Sequence, residues 1–323
     1  MSCFHPLTGF YTGLKTVKGE DEIVVTSADR HFLPVYFAVK RVGHNIPYNP
    51  DFVLIHDGES CLYKTVSIPC GHCDGCRSDR SLDWAVRCCF ELRDHDQNDC
   101  FFATLTMDNA HVMEPSKEWI QRFLKRLRKR YGSFRYLLCA EYGSRTLRPH
   151  YHAIFFGLRG LREELKPWSK SGRFPLYRSA DFEKIYGLGA CLFGDVSFDS
   201  CAYVAKYATK SEKGLGCFLM MSRRPGLGAS ALRCAVYSFD GTDSRFYGDF
   251  GSRHVVRFPR LFKQYLKDSD RALYDKFAAE CRKRAESSSV SNAFMRSLDN
   301  PDFLGDVEEN VFSSKKKARN IKL

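Results

Sequence analysis

Between residues 101 and 156 the spacing of apolar side chains changes period repeatedly, and this restricts the fold more than any other feature of the chain. Residues 101–107 (FFATLTM) have the composition and length of a strand. From Pro115-Ser116 the period becomes helical. Trp119, Ile120, Phe123, Leu124, Leu127 and Tyr131 make one apolar stripe, with Ser116 placed as N-cap, Glu118 in the first turn and Gly132 as the stop. Residues 135–142 (RYLLCAEY) and 150–156 (HYHAIFF) then read as two strands around a glycine-containing turn, a hairpin-like pair.

The rest of the chain is patterned more loosely. Residues 22–26 (EIVVT) and 52–55 (FVLI) read as short strands, 67–76 as a compact Cys- and Gly-rich loop, and 79–94 as a helix. Residues 158–198 read as charged, Gly/Pro-rich connections, and 201–210 as a short helix capped by Asp199 or Ser200. Beyond Gly228 the chain reads as aromatic and strand-rich, then helical around 259–284. The 323 residues, 44% hydrophobic and 27% charged, suit one large domain or two moderate ones and exclude wholesale disorder. No apolar run approaches the ~20 residues of a membrane span, and the start lacks the pattern of a signal peptide. The 14 cysteines are not spaced as a secreted disulfide framework, which points to a reducing compartment, free buried thiols and one metal site.

Arg148-Pro149-His150-Tyr151-His152 opens the 150–156 strand. Residues i and i+2 share a face of a strand, so His150 and His152 project side by side and are able to chelate one divalent ion. An isolated H-x-H is more often structural, but the context here reverses that. Glu141 lies on the preceding strand, where pairing brings its carboxylate to the histidines as a third ligand, with Asp108 as the alternative. A His-His-carboxylate set with open positions suits Mg²⁺ or Mn²⁺ acting on phosphate.

Residues 203–210 (YVAKYATK) repeat Tyr-apolar-x-Lys. On a helix Tyr203 and Tyr207 fall one turn apart, with Lys206 and Lys210 within reach. A tyrosine hydroxyl, with an ordinary pKa of ~10, needs a polarised phosphate or a nearby cation to act as a nucleophile. Attack on a phosphodiester would leave a 5′-phosphotyrosyl link and a free 3′-hydroxyl. That link conserves the bond's energy and allows rejoining without ATP, in keeping with the lack of a G-x-x-x-x-G-K-[ST] loop.

Cys70-x2-Cys73-x2-Cys76 brings three thiolates around one point, with Cys3, Cys61 and His72 as candidates for a fourth ligand. Structural Zn²⁺ is preferred over an iron–sulfur cluster because no redox role is evident. The net charge of +12 favours a polyanionic partner. The 116–131 helix concentrates Arg122, Lys125, Arg126, Arg128, Lys129 and Arg130 outside its apolar stripe, a candidate phosphate-tracking surface; Arg148 is added beside the histidines. Arg223, Arg224 and the 315–322 tail are weaker candidates.

FATLTMD (102–108), RPHYH (148–152) and YVAKYATK (203–210), in this order, resemble the three motifs of two-tyrosine rolling-circle replication initiators of the HUH endonuclease superfamily. MSCFHPL, PCGHCDGCRSDRSLDWAVRC (69–88), AEYGSRTLRPHYHAIFFG (140–157) and SRRPGLG (222–228) narrow the likeness to the initiators of gokushoviruses, small single-stranded DNA microviruses of bacteria. The resemblance covers most of residues 1–228. It implies an α+β fold with a central antiparallel sheet, ferredoxin/RRM-like, flanked by helices. It also implies His150 and His152 as metal ligands, Tyr203 and Tyr207 as nucleophiles, Lys206 and Lys210 as phosphate supports, and Cys3 as the preferred fourth cysteine ligand. Tyr151 stands where the wider superfamily commonly has an aliphatic residue, and it is expected on the opposite strand face.

The chain is accordingly read as an N-terminal part with a metal knot packed on the nuclease domain (1–95), a nicking and joining core (96–228), a C-terminal extension (229–284) and a polar, basic, disordered tail (285–323). The expected partners are single-stranded origin DNA and the host's helicase and polymerase, without a membrane, in the cytoplasm of a bacterial host. Two competing readings are a non-catalytic zinc-containing nucleic-acid-binding protein and a metal-dependent nuclease that hydrolyses with water.

Overall fold

The structure is a computed structural model that describes residues 3, 5–17, 19–26, 55–56, 61–62, 65–143, 147–172, 174–207, 217–241, 245–249 and 253–286. Most of the strand expected at 52–55, and the tail from 287 onward, lie outside the described residues. The chain divides into two compact units, one within residues 1–76 and one spanning 77–287. Among the described residues no helix is long and apolar enough to cross a membrane.

In the first unit β1 (Leu7–Lys15) is the centre of a three-stranded antiparallel sheet; β2 (Asp21–Thr26) pairs on one side and β5 (Thr65–Ile68) on the other. Two-residue strands β3 (Ile55–His56) and β4 (Cys61–Leu62) form a separate small pair. Leu7 lies opposite Ile68 in the β1–β5 register. Because the pair is antiparallel, the chain before Leu7 and the chain after Ile68 leave the sheet at the same end. That end is where Cys3 meets Cys70, Cys73 and Cys76.

The second unit is built on a seven-stranded sheet in which all neighbouring strands pair antiparallel, order β12-β7-β8-β6-β11-β10-β9. Its strands are β6 (Phe101–Thr106), β7 (Arg135–Tyr142), β8 (Pro149–Phe156), β9 (Lys166–Ser171), β10 (Phe174–Arg178), β11 (Cys191–Asp195) and β12 (Leu219–Met221). A hairpin of β13 (Arg245–Asp249) and β14 (Arg253–Arg257) stands apart from it. The helices are α1 (Asp74–Leu92), α2 (Lys117–Tyr131), α3 (Leu161–Glu164), α4 (Ala180–Tyr186), α5 (Phe198–Tyr207), α6 (Ala229–Tyr237), α7 (Arg260–Ser269) and α8 (Arg271–Glu286). The fold is thus α+β, an antiparallel sheet flanked by helices.

Helices cover both sheet faces. On one face Phe101, Ala103, Leu105, Leu138, Ala140, Tyr151, Ala153 and Phe155 pack with Phe123 and Leu127 of α2 and Phe182 of α4. On the other, Leu137, Cys139, Ile154 and Phe156 pack with Val86 and Phe90 of α1, Val204 of α5, Leu232 of α6, Phe262 of α7 and Phe277 of α8. Double coverage explains why β8 is apolar at successive positions instead of alternating.

Helix α2 starts and stops as its sequence requires. Ser116 Oγ accepts from the Trp119 N–H at 3.2 Å, and Gly132 ends the helix at φ 76°. Elsewhere the expectations need correction. Helix α5 begins at Phe198, before the caps expected at Asp199 or Ser200. Ser197 and Ser200 instead bond reciprocally, each hydroxyl accepting from the other's N–H at 3.1 and 2.8 Å. Residues 158–198 hold three strands, not only connections, and 229–237 is a helix where strands were expected.

One buried carboxylate ties α1 to both β7 and the segment before α6. Glu91, 3% exposed, accepts from His95 Nε2 (3.2 Å), the Arg135 guanidinium and the Gly228 N–H (2.6 Å). Gly228 has φ +71°, and a Cβ there would stand 2.6 Å from the Arg87 carbonyl, so the close approach requires glycine. Burial pushes the Glu91 pKa up, but bonds from His95, Gly228 and Arg135 outweigh it and hold it below its ordinary 4.5. A depressed carboxylate contributes fully above its unfolded value and loses that contribution as pH falls through the folded value. Glu91→Gln should therefore cost roughly 3 kcal/mol at neutral pH, by leaving Arg135 uncompensated. It should also flatten the loss of stability below pH 4.5. Urea denaturation across a pH series reads both effects.

Candidate metal centre and nucleophile

The strand register assembles the first cluster. His150 lies opposite Glu141 on β7 and Thr106 on β6, and His152 lies opposite Cys139 and Thr104. The carboxylate of Glu141 and both imidazoles consequently project from the face that carries α1 and α5. Glu141 Oε1 is 2.6 Å from His150 Nε2 and 2.8 Å from His152 Nε2. One donor atom from each of the three residues lies within 4.8 Å of the others. Asp108, the alternative third ligand, lies elsewhere: its carboxylate accepts from Ala110 N–H (3.0 Å) and meets His111 Nδ1 at 2.7 Å.

Outer partners orient both rings. His150 Nδ1 is 3.1 Å from the Arg148 carbonyl, which only accepts, so this nitrogen carries the proton. In the neutral ring the Nε2 lone pair then faces Glu141. His152 Nδ1 meets Thr104 Oγ1 at 3.1 Å, and Phe102 stacks on its ring with centroids 5.9 Å apart. Such second contacts select the ligating nitrogen of a metal-binding histidine.

The ionisable groups lean in different directions. Burial works against the Glu141 charge, yet bonds from both histidines draw its pKa down to about 2. Burial disfavours a charged His150 too, but Glu141 and the Arg148 carbonyl raise its pKa; for the deeper His152 burial prevails and lowers it. A carboxylate with two imidazoles is a donor set that fits a divalent cation and leaves coordination positions for oxygen ligands. Both imidazoles already have their outer nitrogens engaged.

Tyr203 completes the neighbourhood. Its ring centroid is 5.1 Å from that of His152 and 6.1 Å from that of Phe102, in edge-on contacts, and 41% of its surface is exposed. It is held by α5, whose Cys201 is buried against Cys88 and Cys89 of α1. Tyr207 and Lys206 belong to the same helix, but their side chains, like all of Lys210, lie outside the described residues. Phe102 and Thr104 belong to the site although the sequence motifs assign them no role. Their signal is the alternation in FATLTM, which puts residues 102, 104 and 106 on the histidine face once β6 pairs with β8.

The expected cationic surface is distributed differently. Helix α2 packs on the opposite sheet face, the one that buries Tyr151. Its cations therefore do not converge on the histidines. Arg122 pairs with Glu118, Arg130 with Glu164, and Arg126 donates to the Ile185 carbonyl at 3.1 Å. Lys125 and Lys129 are exposed. Arg128 lies over Phe134, with 5.1 Å to the ring centre. Arg148 donates to the Met107 carbonyl (3.4 Å) and to Asn109, bracing the loop after β6.

The second cluster is Cys3, Cys70, Cys73 and Cys76 in the first unit, again with all four sulfurs within 4.8 Å. Cys70 Sγ is 3.9 Å from Cys76 Sγ, and Cys73 Sγ is 3.7 Å from Cys3 Sγ. The N–H groups of His72 and Cys73 point at Cys70 Sγ (3.4 and 3.3 Å), and that of Cys70 at Cys3 Sγ (3.2 Å). His72 is exposed, and the side chain of Cys61 lies outside the described residues.

Residues 100–212, which contain the histidines and the tyrosine helix, match the family model for the replication-associated protein ORF2. The chain is 32% identical to the replication-associated protein ORF2 of Spiroplasma virus 4, over 45% of this chain and 48% of the relative. It is 31% identical to the replication-associated protein VP4 of Bdellovibrio phage phiMH2K, over 45% and 48%. It is 29% identical to the replication-associated protein ORF4 of Chlamydia phage 1, over 62% and 53%. The chain thus spans about half the length of the curated relatives it matches, and no solved structure matches it. Over residues 100–212 the chain matches the replication-associated protein ORF2 family, and it resembles the replication-associated proteins of microvirus-type phages.

Proposed function

We propose that this protein is a rolling-circle replication initiator of the HUH endonuclease type, which nicks single-stranded DNA at a viral origin and later rejoins the strand. The observation that carries the reading is the half-exposed Tyr203 ring 5.1 Å from His152, itself bonded to the same carboxylate as His150. Glu141, His150 and His152 would hold Mg²⁺ or Mn²⁺. The bound ion would polarise the oxygens of the scissile phosphate.

The protein's residues do the rest. The buried carboxylate and the two braced imidazoles fix where the phosphate docks. Helix α5 presents the Tyr203 hydroxyl from the side of His152. Its oxygen forms the new bond to phosphorus as the bond to the 3′-oxygen breaks, leaving a 5′-phosphotyrosyl link and a free 3′-hydroxyl. Tyr207, one turn on, is the second nucleophile, with Lys206 and Lys210 supporting phosphate charge. Host helicase and polymerase, in the cytoplasm of a bacterial host, would use the 3′-end.

The Cys3, Cys70, Cys73 and Cys76 cluster is proposed to hold structural Zn²⁺. Zinc–thiolate bonds of ≈2.3 Å put the corners of a tetrahedron about 3.8 Å apart. The observed separations of 3.7 and 3.9 Å match that edge. A polynuclear iron–sulfur cluster would need the thiolates farther apart. N–H groups aimed at the sulfurs are suited to stabilising thiolates.

With Mn²⁺ and a labelled single-stranded origin oligonucleotide, the wild-type protein should give an adduct that survives SDS, and Tyr203→Phe/Tyr207→Phe should abolish it. Cleavage without an adduct would instead mean hydrolysis by water. His150→Ala/His152→Ala should weaken Mn²⁺ binding at least tenfold in calorimetry; unchanged affinity would exclude the proposed metal centre. Elemental analysis of purified protein should find one zinc per chain, lost in Cys73→Ser together with thermal stability. Neither zinc nor iron in the wild type would remove the Cys-site proposal.

A further inference from the structure

At the β12 edge of the sheet lies an open cavity of about 690 Å³, lined in part by Arg128, Phe134, Arg135, Tyr136, Arg223 and Arg224, with no acidic residue in its wall. We infer that this arginine cleft is a second contact site for single-stranded DNA, gripping the phosphate backbone of the bound strand away from the nick. The inference rests on the nicking reading for the identity of the polyanion.

The cleft joins residues that are far apart in sequence. Arg128 comes from the last turn of α2, and Arg223 and Arg224 from the segment after β12. All three are exposed, and among the described residues none has a carboxylate partner. Arg135 is different, because Glu91 already neutralises it. Burial raises the pKa of the Tyr136 hydroxyl, while the charges of Arg128 and Arg223 both pull it down, so two cations from separate elements converge on one ring. The guanidinium of Arg128 lies 5.1 Å above Phe134 and 6.0 Å above Tyr136. Stacking of this kind leaves its N–H edge directed outward for phosphate oxygens.

The segment carrying Arg223 and Arg224 is held at several points. Ser222 N–H donates to the Tyr136 carbonyl (3.0 Å), and the Tyr136 N–H donates to Ser222 Oγ (3.1 Å). Arg135 donates to the Pro225 carbonyl (2.9 Å), Arg87 to the Leu227 carbonyl (3.1 Å), and Gly228 N–H to Glu91 (2.6 Å). None of these bonds uses the Arg223 or Arg224 side chain. They fix the backbone beforehand, which reduces the ordering cost of binding. Tyr136 and Glu141 are on one strand, five steps of ~3.3 Å apart, or roughly 17 Å. The gripped phosphate would therefore be several nucleotides from the scissile one.

Salt dependence tests the assignment. In a Tyr203→Phe/Tyr207→Phe background, where no adduct forms, affinity for a fluorescent single-stranded oligonucleotide is measured over a salt series. Adding Arg128→Gln/Arg223→Gln/Arg224→Gln should lower the slope of log K against log salt by about 2, since each lost single-strand phosphate contact removes ~0.7. Lys166→Gln/Lys170→Gln on β9, at the opposite sheet edge, should leave the slope unchanged. An unchanged slope in the arginine variant, with its thermal unfolding intact, would overturn the cleft, as would an equal loss per charge in the lysine variant. An adduct that forms normally beside an unchanged slope would remove only the cleft. A fallen slope without any adduct would keep the cleft and remove the nicking reading.

Discussion

The pairing of β8 between β7 and β6 is the constraint on which the site depends. A one-residue slip would turn His150 and His152 toward α2 and bring Tyr151 to Glu141. Hydrophobicity gives β8 little protection against that slip. Ala153, Ile154, Phe155 and Phe156 are all buried, and either face accepts an apolar side chain. The register is specified at the polar end of the strand. Tyr151 is fully buried, and its hydroxyl accepts from the Ser116 N–H at 3.2 Å, which ties it to the start of α2. On the other face the two imidazoles share one carboxylate oxygen. In the slipped arrangement a tyrosine hydroxyl and two imidazoles would have to find new partners in closed apolar layers, at about 1–3 kcal/mol for each unsatisfied group.

The same arrangement sets the electrostatics. Glu141 is drawn down to about 2 because both rings donate to it, whereas the two rings are driven apart by depth, His150 upward and His152 downward. A single proton held on the outer ring satisfies the carboxylate while the inner ring remains neutral. A cation that replaces this proton meets the same three donors with their outer bonds already formed, so little reorganisation is needed.

Much of this was legible locally. Helix α2 could be bounded to the residue because its stripe, its Ser116 cap and its Gly132 stop all agree, and β7 and β8 are separated by a clear turn. What could not be read was set by distant residues or by exposure. Strand β9 (KPWSKS) is exposed along its whole length, so no apolar alternation announces it. Helix α6 is short and lacks a side-chain cap, its N-cap being the left-handed Gly228. The cysteine spacing of 70–76 marks three ligands, but the proximity of Cys3 follows from the β1–β5 register. The cations of α2 lie close to the histidines in sequence and across the sheet from them in space. An amphipathic helix reveals which of its sides is buried, but not which face of the sheet receives it.

The candidate site is supported by regular elements throughout. Glu141 is on β7, His150 and His152 are on β8, and Tyr203 is on a helix started by the Ser197–Ser200 pair and anchored by buried Cys201 and Val204. Ligand geometry is therefore set by ladder bonds, and the approach of the tyrosine by the packing of α5 on the sheet. Catalytic groups on such elements are held more tightly than groups on loops. The phosphate-facing arginines follow a different rule. Arg223 and Arg224 are exposed side chains on a segment whose backbone alone is fixed. That division suits the two tasks. Transfer to a single oxygen requires fixed geometry, whereas a polyanion that must enter, be joined and leave is better held by long cations that follow it.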